Sequence, residues 1–308
     1  MLLVVCPNLG MDRILQVDHF EAGKVQRSRT VLIQPGGKGS NVARVFRQLG
    51  GRVVLTGFVG RVDAAHVVEP LRRMGVIMDA VIGFESQSRN CTIICDIRQH
   101  SHPTVINEES PEIAPDAAAK LMSRIEHWIP RVDAVLTTGS LAQGLPCDFY
   151  AEILDRARCR GKITAIDAAG AALQDGLLTR PSFMKPNAEE FTRLAAASDF
   201  SFLAVHTAIT FGKAGAALLH GGNCLYAAPP QINDTNPIGA GDSFAAAYLK
   251  TLISGASAEE CLRWAVATGS CDAGTLRPGF VDRKKVRNLQ PHVVLHAFRD
   301  ILWSEALH

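Results

Sequence analysis

Asp242 stands directly behind a Gly-Ala-Gly run, in Asn236-Pro237-Ile238-Gly239-Ala240-Gly241-Asp242-Ser243-Phe244, and three alanines follow. The run feeds a helical pattern, so Gly239, Ala240 and Gly241 leave backbone N–H groups bare at a helix N-terminus. Such groups and the helix dipole together attract anions. A carboxylate in that positive spot suits phosphoryl transfer: the acid takes the proton of an attacking hydroxyl while the N–H groups stabilise the moving phosphate. The same residues also fit a plain capped turn, with Asp242 stabilising the first helical turn.

A second glycine-rich segment, Gly36-Gly37-Lys38-Gly39-Ser40-Asn41-Val42-Ala43-Arg44, follows the β-like run Thr30-Val31-Leu32-Ile33. It opens an amphipathic stretch through Val42, Val45, Phe46 and Leu49, at helical spacing, that stops at Gly50-Gly51. It is not a Walker loop, because Lys38 is followed by Gly39, and it lacks the Gly-x-Gly-x-x-Gly dinucleotide fingerprint. Gly37 lets a ligand approach the backbone, while Lys38 and Asn41 offer a cation and an amide to hydroxyls or phosphate.

These two segments, in this order and about two hundred residues apart, resemble the N-terminal and C-terminal signatures of the PfkB (ribokinase-like) carbohydrate kinases. The resemblance covers roughly residues 1–288. Asn8-Leu9-Gly10-Met11-Asp12-Arg13, Asn41-Val42-Ala43-Arg44 and Thr138-Gly139-Ser140-Leu141 are similar to segments of the 1-phosphofructokinase and tagatose-6-phosphate kinase branch. Lys185-Pro186-Asn187-Ala188-Glu189-Glu190 matches that family's Lys-Pro-Asn-x-x-Glu motif, and Thr210-Phe211-Gly212-Lys213-Ala214-Gly215-Ala216 takes the place of its nucleotide segment.

The resemblance implies ATP and Mg²⁺ as cofactors and a role for each motif residue. Asp242 would be the base, with Gly239, Ala240 and Gly241 supplying N–H groups to the developing charge. Asp12, Gly37, Lys38 and Asn41 would hold the sugar. Arg89, in Ser88-Arg89, would fork onto a phosphate already on the substrate, a partner that a free sugar does not offer. Lys185 and Asn187 would face the nucleotide with Thr210, Gly212 and Gly215, and Glu190 would serve the metal. Residue by residue the plainer readings stand alongside: Asp12 in a turn, Arg89 on the surface, Asn187 and Glu190 as a capping box.

The elements that must position these groups alternate. Apolar strand patterns at 2–6, 53–58, 134–137, 163–166, 183–184, 208–211 and 216–219 are interleaved with helical patterns at 116–128, 148–157, 188–197, 243–253 and 257–272. That rhythm predicts an α/β fold, a ribokinase-like, doubly wound, mostly parallel sheet flanked by helices. Ligands then belong at the carboxyl ends of the strands. Residues 13–33 and 81–106 instead show period-two alternation. In the resembled family these places form a small β-sheet lid, often used for dimer contacts, so a homodimer through the lid is implied. The expected organisation is a single kinase domain over 1–308, with an extra amphipathic helix at about 291–304 from Val294, Leu295, Phe298, Ile301, Leu302 and Trp303.

Composition bounds the rest. Of the 308 residues 47% are hydrophobic and 20% charged, ample for a core, and a net charge of +2 gives no argument for a nucleic-acid partner. Eight scattered cysteines without a Cys-x-x-Cys pair fit free thiols in a reducing compartment. No apolar run reaches the length of a membrane span, and residues 1–7 lack the basic flank of a signal peptide, so a cytoplasmic location is expected. The expected function is ATP-dependent phosphorylation of a phosphorylated hexose. Two other classes stay open: a kinase of an unphosphorylated sugar or nucleoside, and a catalytically lapsed protein that binds sugar phosphates.

Overall fold

The computed structural model describes residues 1–98, 103–197, 203–233 and 235–298. The chain begins with β1 (Leu2–Asn8), β2 (Gly10–Val17), β3 (Thr30–Gly36), α1 (Lys38–Gln48), β4 (Val53–Gly60) and α2 (Ala64–Arg73). Four strands follow: β5 (Ile77–Met78), β6 (Val81–Phe84), β7 (Asn90–Asp96) and β8 (Thr104–Asn107). Next come α3 (Ala117–Trp128), β9 (Ala134–Thr138), α4 (Phe149–Arg158), β10 (Ile163–Asp167), α5 (Gly170–Leu177), β11 (Phe183–Met184) and α6 (Ala188–Ala197). The C-terminal part is β12 (His206–Thr210), β13 (Ala216–His220), β14 (Asn223–Ala228), α7 (Ala240–Ile253), α8 (Ala258–Ala273), α9 (Arg283–Leu289) and β15 (Val294–Phe298).

An 11-stranded sheet runs β15-β14-β13-β12-β11-β10-β9-β1-β4-β5, with β6 also paired to β4. It is parallel from β12 to β5 and antiparallel across β12 to β15. Its central strand shows why the sequence reads as a continuous apolar run. Leu2, Val4 and Cys6 pack into the layer formed with α1, α7 and α8, whereas Leu3 and Val5 pack with α3 and α4 on the other face. Both faces of β1 are buried, so neither set of alternating positions carries polar side chains.

A separate four-stranded sheet, β3-β2-β7-β8, forms the lid. Its inner face carries Ile14, Ile93 and Cys95, packed against Ile238 and Leu276. The lid thus rests on the turn that precedes Asp242. The chain passes from central sheet to lid in one residue, Leu9, between β1 and β2.

Three expectations need correction. Residues 81–84 belong to the main sheet as β6, so the second lid segment begins at β7; the first runs from Gly10 to Gly36. Asp12 lies within strand β2 and not in a turn. Residues 294–298 form β15, antiparallel to β14, in place of the expected helix, while the remainder of 291–304 beyond 298 lies outside the described residues. Val294, Leu295 and Phe298 have helical spacing, but the unpaired edge of β14 offers backbone partners that override it. Among the described residues, no helix is long and apolar enough to cross a membrane.

Candidate active site

Parallel strands deliver their carboxyl ends to one side, and the polar groups collect there. Asn8 ends β1 and donates from Nδ2 to Ser140 Oγ (2.9 Å) and the Leu141 carbonyl (3.1 Å). Asp167 ends β10, and Lys185 follows β11 directly.

Asp242 sits in the first turn of α7. The turn before it requires glycine at 239, where φ is +87° and an added Cβ would lie 2.8 Å from Pro278 Cβ and 2.9 Å from Asp272 Oδ2. Asn41, from the first turn of α1, donates through Nδ2 to Asp242 Oδ2 at 2.8 Å. The carboxyl is 8% exposed. Burial pushes it up to about 6, with a contribution from the negative charge of Asp167, and against the opposing pull of Lys38, Asn41 and Lys185. A base poised near neutrality is what proton abstraction from a hydroxyl calls for.

Lys38 and Lys185 meet at a residue that the sequence reading missed. Lys38 Nζ bonds Asp167 Oδ1 at 2.8 Å, and Lys185 Nζ stands 3.6 Å from Asp167 Oδ2. Burial works against the charge of Asp167, which is 1% exposed, yet the two ammonium groups hold its carboxyl below the usual range. Burial likewise opposes the charge on Lys38, but Asp167 and Asp242 carry its pKa above the usual lysine value. Lys185 Nζ also lies 3.3 Å from where a Cβ on Gly241 would be, so its ammonium flanks the N-terminus of α7. Two cations converge beside the Asp242 carboxyl at this helix N-terminus; of the three N–H groups expected to be bare there, that of Ala240 is taken by the Pro237 carbonyl at 3.2 Å, which leaves those of Gly239 and Gly241.

Asp12 lies on the inner face of the lid. Glycine is required diagonally across from it at 36, because an added Cβ there would sit 2.0 Å from Asp12 Oδ1. Burial pushes the Asp12 carboxyl up to about 6, against the guanidinium groups of Arg44 and Arg89. Arg89 is half-buried where its carbonyl accepts from Met11 N at 3.0 Å, and among the described residues no hydrogen bond or ion pair occupies its guanidinium.

On the other side of Asp242, an open cavity of about 650 Å³ is lined by Thr210, Gly212, Gly215, Pro229, Gly241 and Phe244, among others. Asn187 makes a parallel bridge to Thr210, which brings the Lys-Pro-Asn motif to the cavity's edge. Asn187 N donates to Glu190 Oε2 and Glu190 N to Asn187 Oδ1, both at 2.8 Å. That is the reciprocal capping box, and it leaves Glu190 close enough to bear on Lys38. Of the residues singled out in the sequence, Asp242, Asn41, Lys38 and Lys185 form one contiguous cluster. Asp12 and Arg89 face it from the lid, and Thr210, Gly212 and Gly215 line the cavity beyond.

Arg44 and Asp272 were also missed as site components. Arg44, 1% exposed, donates to Asn41 Oδ1 (3.1 Å), the Pro278 carbonyl (2.9 Å) and the Pro35 carbonyl (2.7 Å). It thereby orients the Asn41 amide so that its NH₂ faces Asp242. Asp272 accepts from Gly279 N and Phe280 N at 3.2 and 3.0 Å, and burial pushes it up to about 7.

Comparison with known proteins bears on the family and the fold. Tagatose-6-phosphate kinase of Staphylococcus epidermidis is 29% identical over 301 residues, covering 92% of this chain and 96% of that protein. A possible 1-phosphofructokinase from Thermotoga maritima superposes with a TM-score of 0.85 at 20% identity, covering 97% of this chain and 99% of that one. Phosphofructokinase-2 from Escherichia coli, crystallised with fructose-6-phosphate, superposes with a TM-score of 0.82 at 21% identity, covering 94% of this chain and 98% of that one. The two structures establish a shared fold. The sequence profile of the pfkB family carbohydrate kinases matches residues 2–279, so the chain belongs to that family.

Proposed function

We propose that the protein transfers the γ-phosphoryl group of ATP to a hydroxyl of a phosphorylated hexose. The observation that carries this reading is the placement of Asp242: a buried carboxyl at a helix N-terminus, hydrogen-bonded to Asn41, between the lid and a cavity of about 650 Å³. The cavity suits the nucleotide and the space beneath the lid suits the sugar. Asp242 accepts the proton of the attacking hydroxyl as the phosphoryl group leaves. Gly239 and Gly241 offer N–H groups to the charge that develops, and Lys185 and Lys38 exchange Asp167 for phosphate oxygens. Asp12 and Asn41 orient the sugar so that one hydroxyl faces the base.

Mg²⁺ in kinases takes one or two protein carboxylates and fills its shell with water and phosphate oxygens. Glu190, with Asn187 beside it, fits that modest demand, and Asp167, whose Oδ2 has no hydrogen-bond donor among the described residues, bears with it on Lys38. When bound, the ion would supply positive charge against the phosphates. The phosphorylated nature of the acceptor is supported by Arg89, whose guanidinium has no ion-paired carboxylate among the described residues and stands over the sugar side, and by the names of the relatives. Assembly as a homodimer through the lid is part of the same reading, supported by the exposed Val31, Ile33 and Ile106 on its outer face.

The test is ADP release with Mg·ATP against fructose 1-phosphate, tagatose 6-phosphate, fructose 6-phosphate, fructose and ribose. Turnover confined to phosphohexoses is expected. Turnover on free sugars alone would remove the Arg89 argument, and silence on every acceptor from folded protein would remove the catalytic one.

A further inference from the structure

We infer that the cavity between the outer face of the lid and α2 is a second anion site, which takes a phosphate group of a small metabolite and bears on the catalytic carboxylate through Arg44. The cavity measures about 690 Å³ and shares no lining residue with the nucleotide cavity. Ile33 and Pro35 of the lid form one wall, α2 another, and Arg44, Arg277 and Phe280 the floor and far side.

Its charge is unbalanced. Arg44 and Arg277 both lie over the Phe280 ring, at 4.7 and 4.5 Å from its centroid, and each guanidinium repels the other. Arg73 adds a third cation from α2. Among the described residues, none of the three has a carboxylate within ion-pair distance. The two acids of the cavity are already engaged: Asp63 Oδ1 accepts from Ser88 N and Oγ, both at 2.8 Å, and Glu69 pairs with Arg72 at 2.8 Å. Arg44 is buried and its hydrogen bonds go only to neutral oxygens; Asp12, Asp272 and Asp242 attract it from beyond ion-pair distance, and burial still pulls its pKa below the usual arginine value. Two of its five N–H groups remain unassigned by those bonds, enough for a forked contact with phosphate oxygens.

The site is wired to the base. Arg44 NH1 donates to Asn41 Oδ1, and Asn41 Nδ2 donates to Asp242 Oδ2. An anion that draws on Arg44 changes the donor that fixes the Asn41 amide, and so the carboxylate that the amide holds. By linkage, the occupant alters the affinity or turnover of the substrate and the substrate alters its binding in return.

The experiment is calorimetric titration of the full chain with inorganic phosphate, which also enters the active site. Three proteins are compared: unaltered, Lys38→Ala, and Arg73→Ala/Arg277→Ala, whose two changes are at exposed positions outside the catalytic cluster. Two phosphates per chain are expected for the unaltered protein. Lys38→Ala keeps the lid-side one, whereas the double variant binds it at least about tenfold more weakly with kcat in phosphate-free buffer unchanged. Phosphate should change the turnover of the unaltered protein and not that of the double variant. A single phosphate abolished by Lys38→Ala would overturn the inference. So would a double variant that binds phosphate like the unaltered protein, since the guanidinium groups of Arg73 and Arg277 would then not hold the ion. Because the binding is read without substrate, its failure is separable from failure of the proposed activity.

Discussion

Asn41 Nδ2 donates to Asp242 Oδ2 at 2.8 Å, and this one bond joins the two glycine-rich segments of the chain. It fixes the carboxylate against α1, while Arg44 fixes the amide from behind. The base is therefore held by a chain of side chains whose every member is buried.

Replacing Asp242 by Asn removes the base and keeps the shape. Turnover should fall by about 10²–10⁴-fold. Stability should move the other way at high pH. The folded pKa is raised, so the carboxylate's cost is absent below its ordinary value of 3.8 and complete above about 6. Asp242→Asn should gain on the order of 1–3 kcal/mol at pH 8 and little at pH 4, read by urea unfolding. A variant less stable than the parent at pH 8 would contradict the burial argument.

The acid side of the activity profile should reflect two carboxyls, since burial raises both Asp242 and Asp12 to about 6. Both must be ionised, one to take a proton and one to accept hydroxyl hydrogen bonds. A plot of log kcat/KM against pH should bend near 6 instead of near 4 and fall with a slope steeper than one proton. In Asp12→Asn the slope should relax to one. A profile flat down to pH 5 would refute the assignment.

Arg89→Ala should raise KM for the phosphohexose by about 30–100-fold, the loss of a forked charge-assisted pair. Lys at this position should restore only part of it, because the ammonium cannot reproduce the fork. Equal KM values in all three proteins would show that the guanidinium does not meet the substrate.

Asp167→Asn leaves two ammonium groups facing each other without their shared counter-ion. The depressed pKa of Asp167 means that its contribution is complete above the ordinary value of 3.8 and lost as pH falls through the lower folded value. The variant should be about 3–5 kcal/mol less stable at pH 7, a gap that narrows in acid. Denaturant midpoints at pH 7 and pH 3 provide the check, and a constant gap would exclude the electrostatic cause.

Much of this site is legible in the primary structure because backbone geometry leaves marks there. Glycines at 239 and 37 follow from their positive φ, and Gly36 from the close approach of Asp12. The alternating rhythm follows from a sheet buried on both faces. Asp167 left no such mark, since an acid ending an apolar strand is ordinary until Lys38 and Lys185 converge on it from 129 and 18 positions away. Arg44 was visible as part of a motif, but its role depends on carbonyls of Pro35 and Pro278 that only the fold brings together. The strand at 294–298 was misread because apolar spacing does not report a vacant sheet edge.

The separation of Asn41 and Asp242 by 201 positions has a consequence during synthesis. At 5–20 residues per second, a ribosome needs roughly 10–40 s to travel from one to the other. Over that interval Lys38, Asn41 and the buried guanidinium of Arg44 have been made, while α7 and the Pro278 carbonyl that complete their surroundings have not. The early part of the chain must wait with its most polar helix end uncovered. No nascent fragment that ends before α7 can hold the Asn41–Asp242 pair, and the proposed catalytic centre is among the last features of the protein to exist.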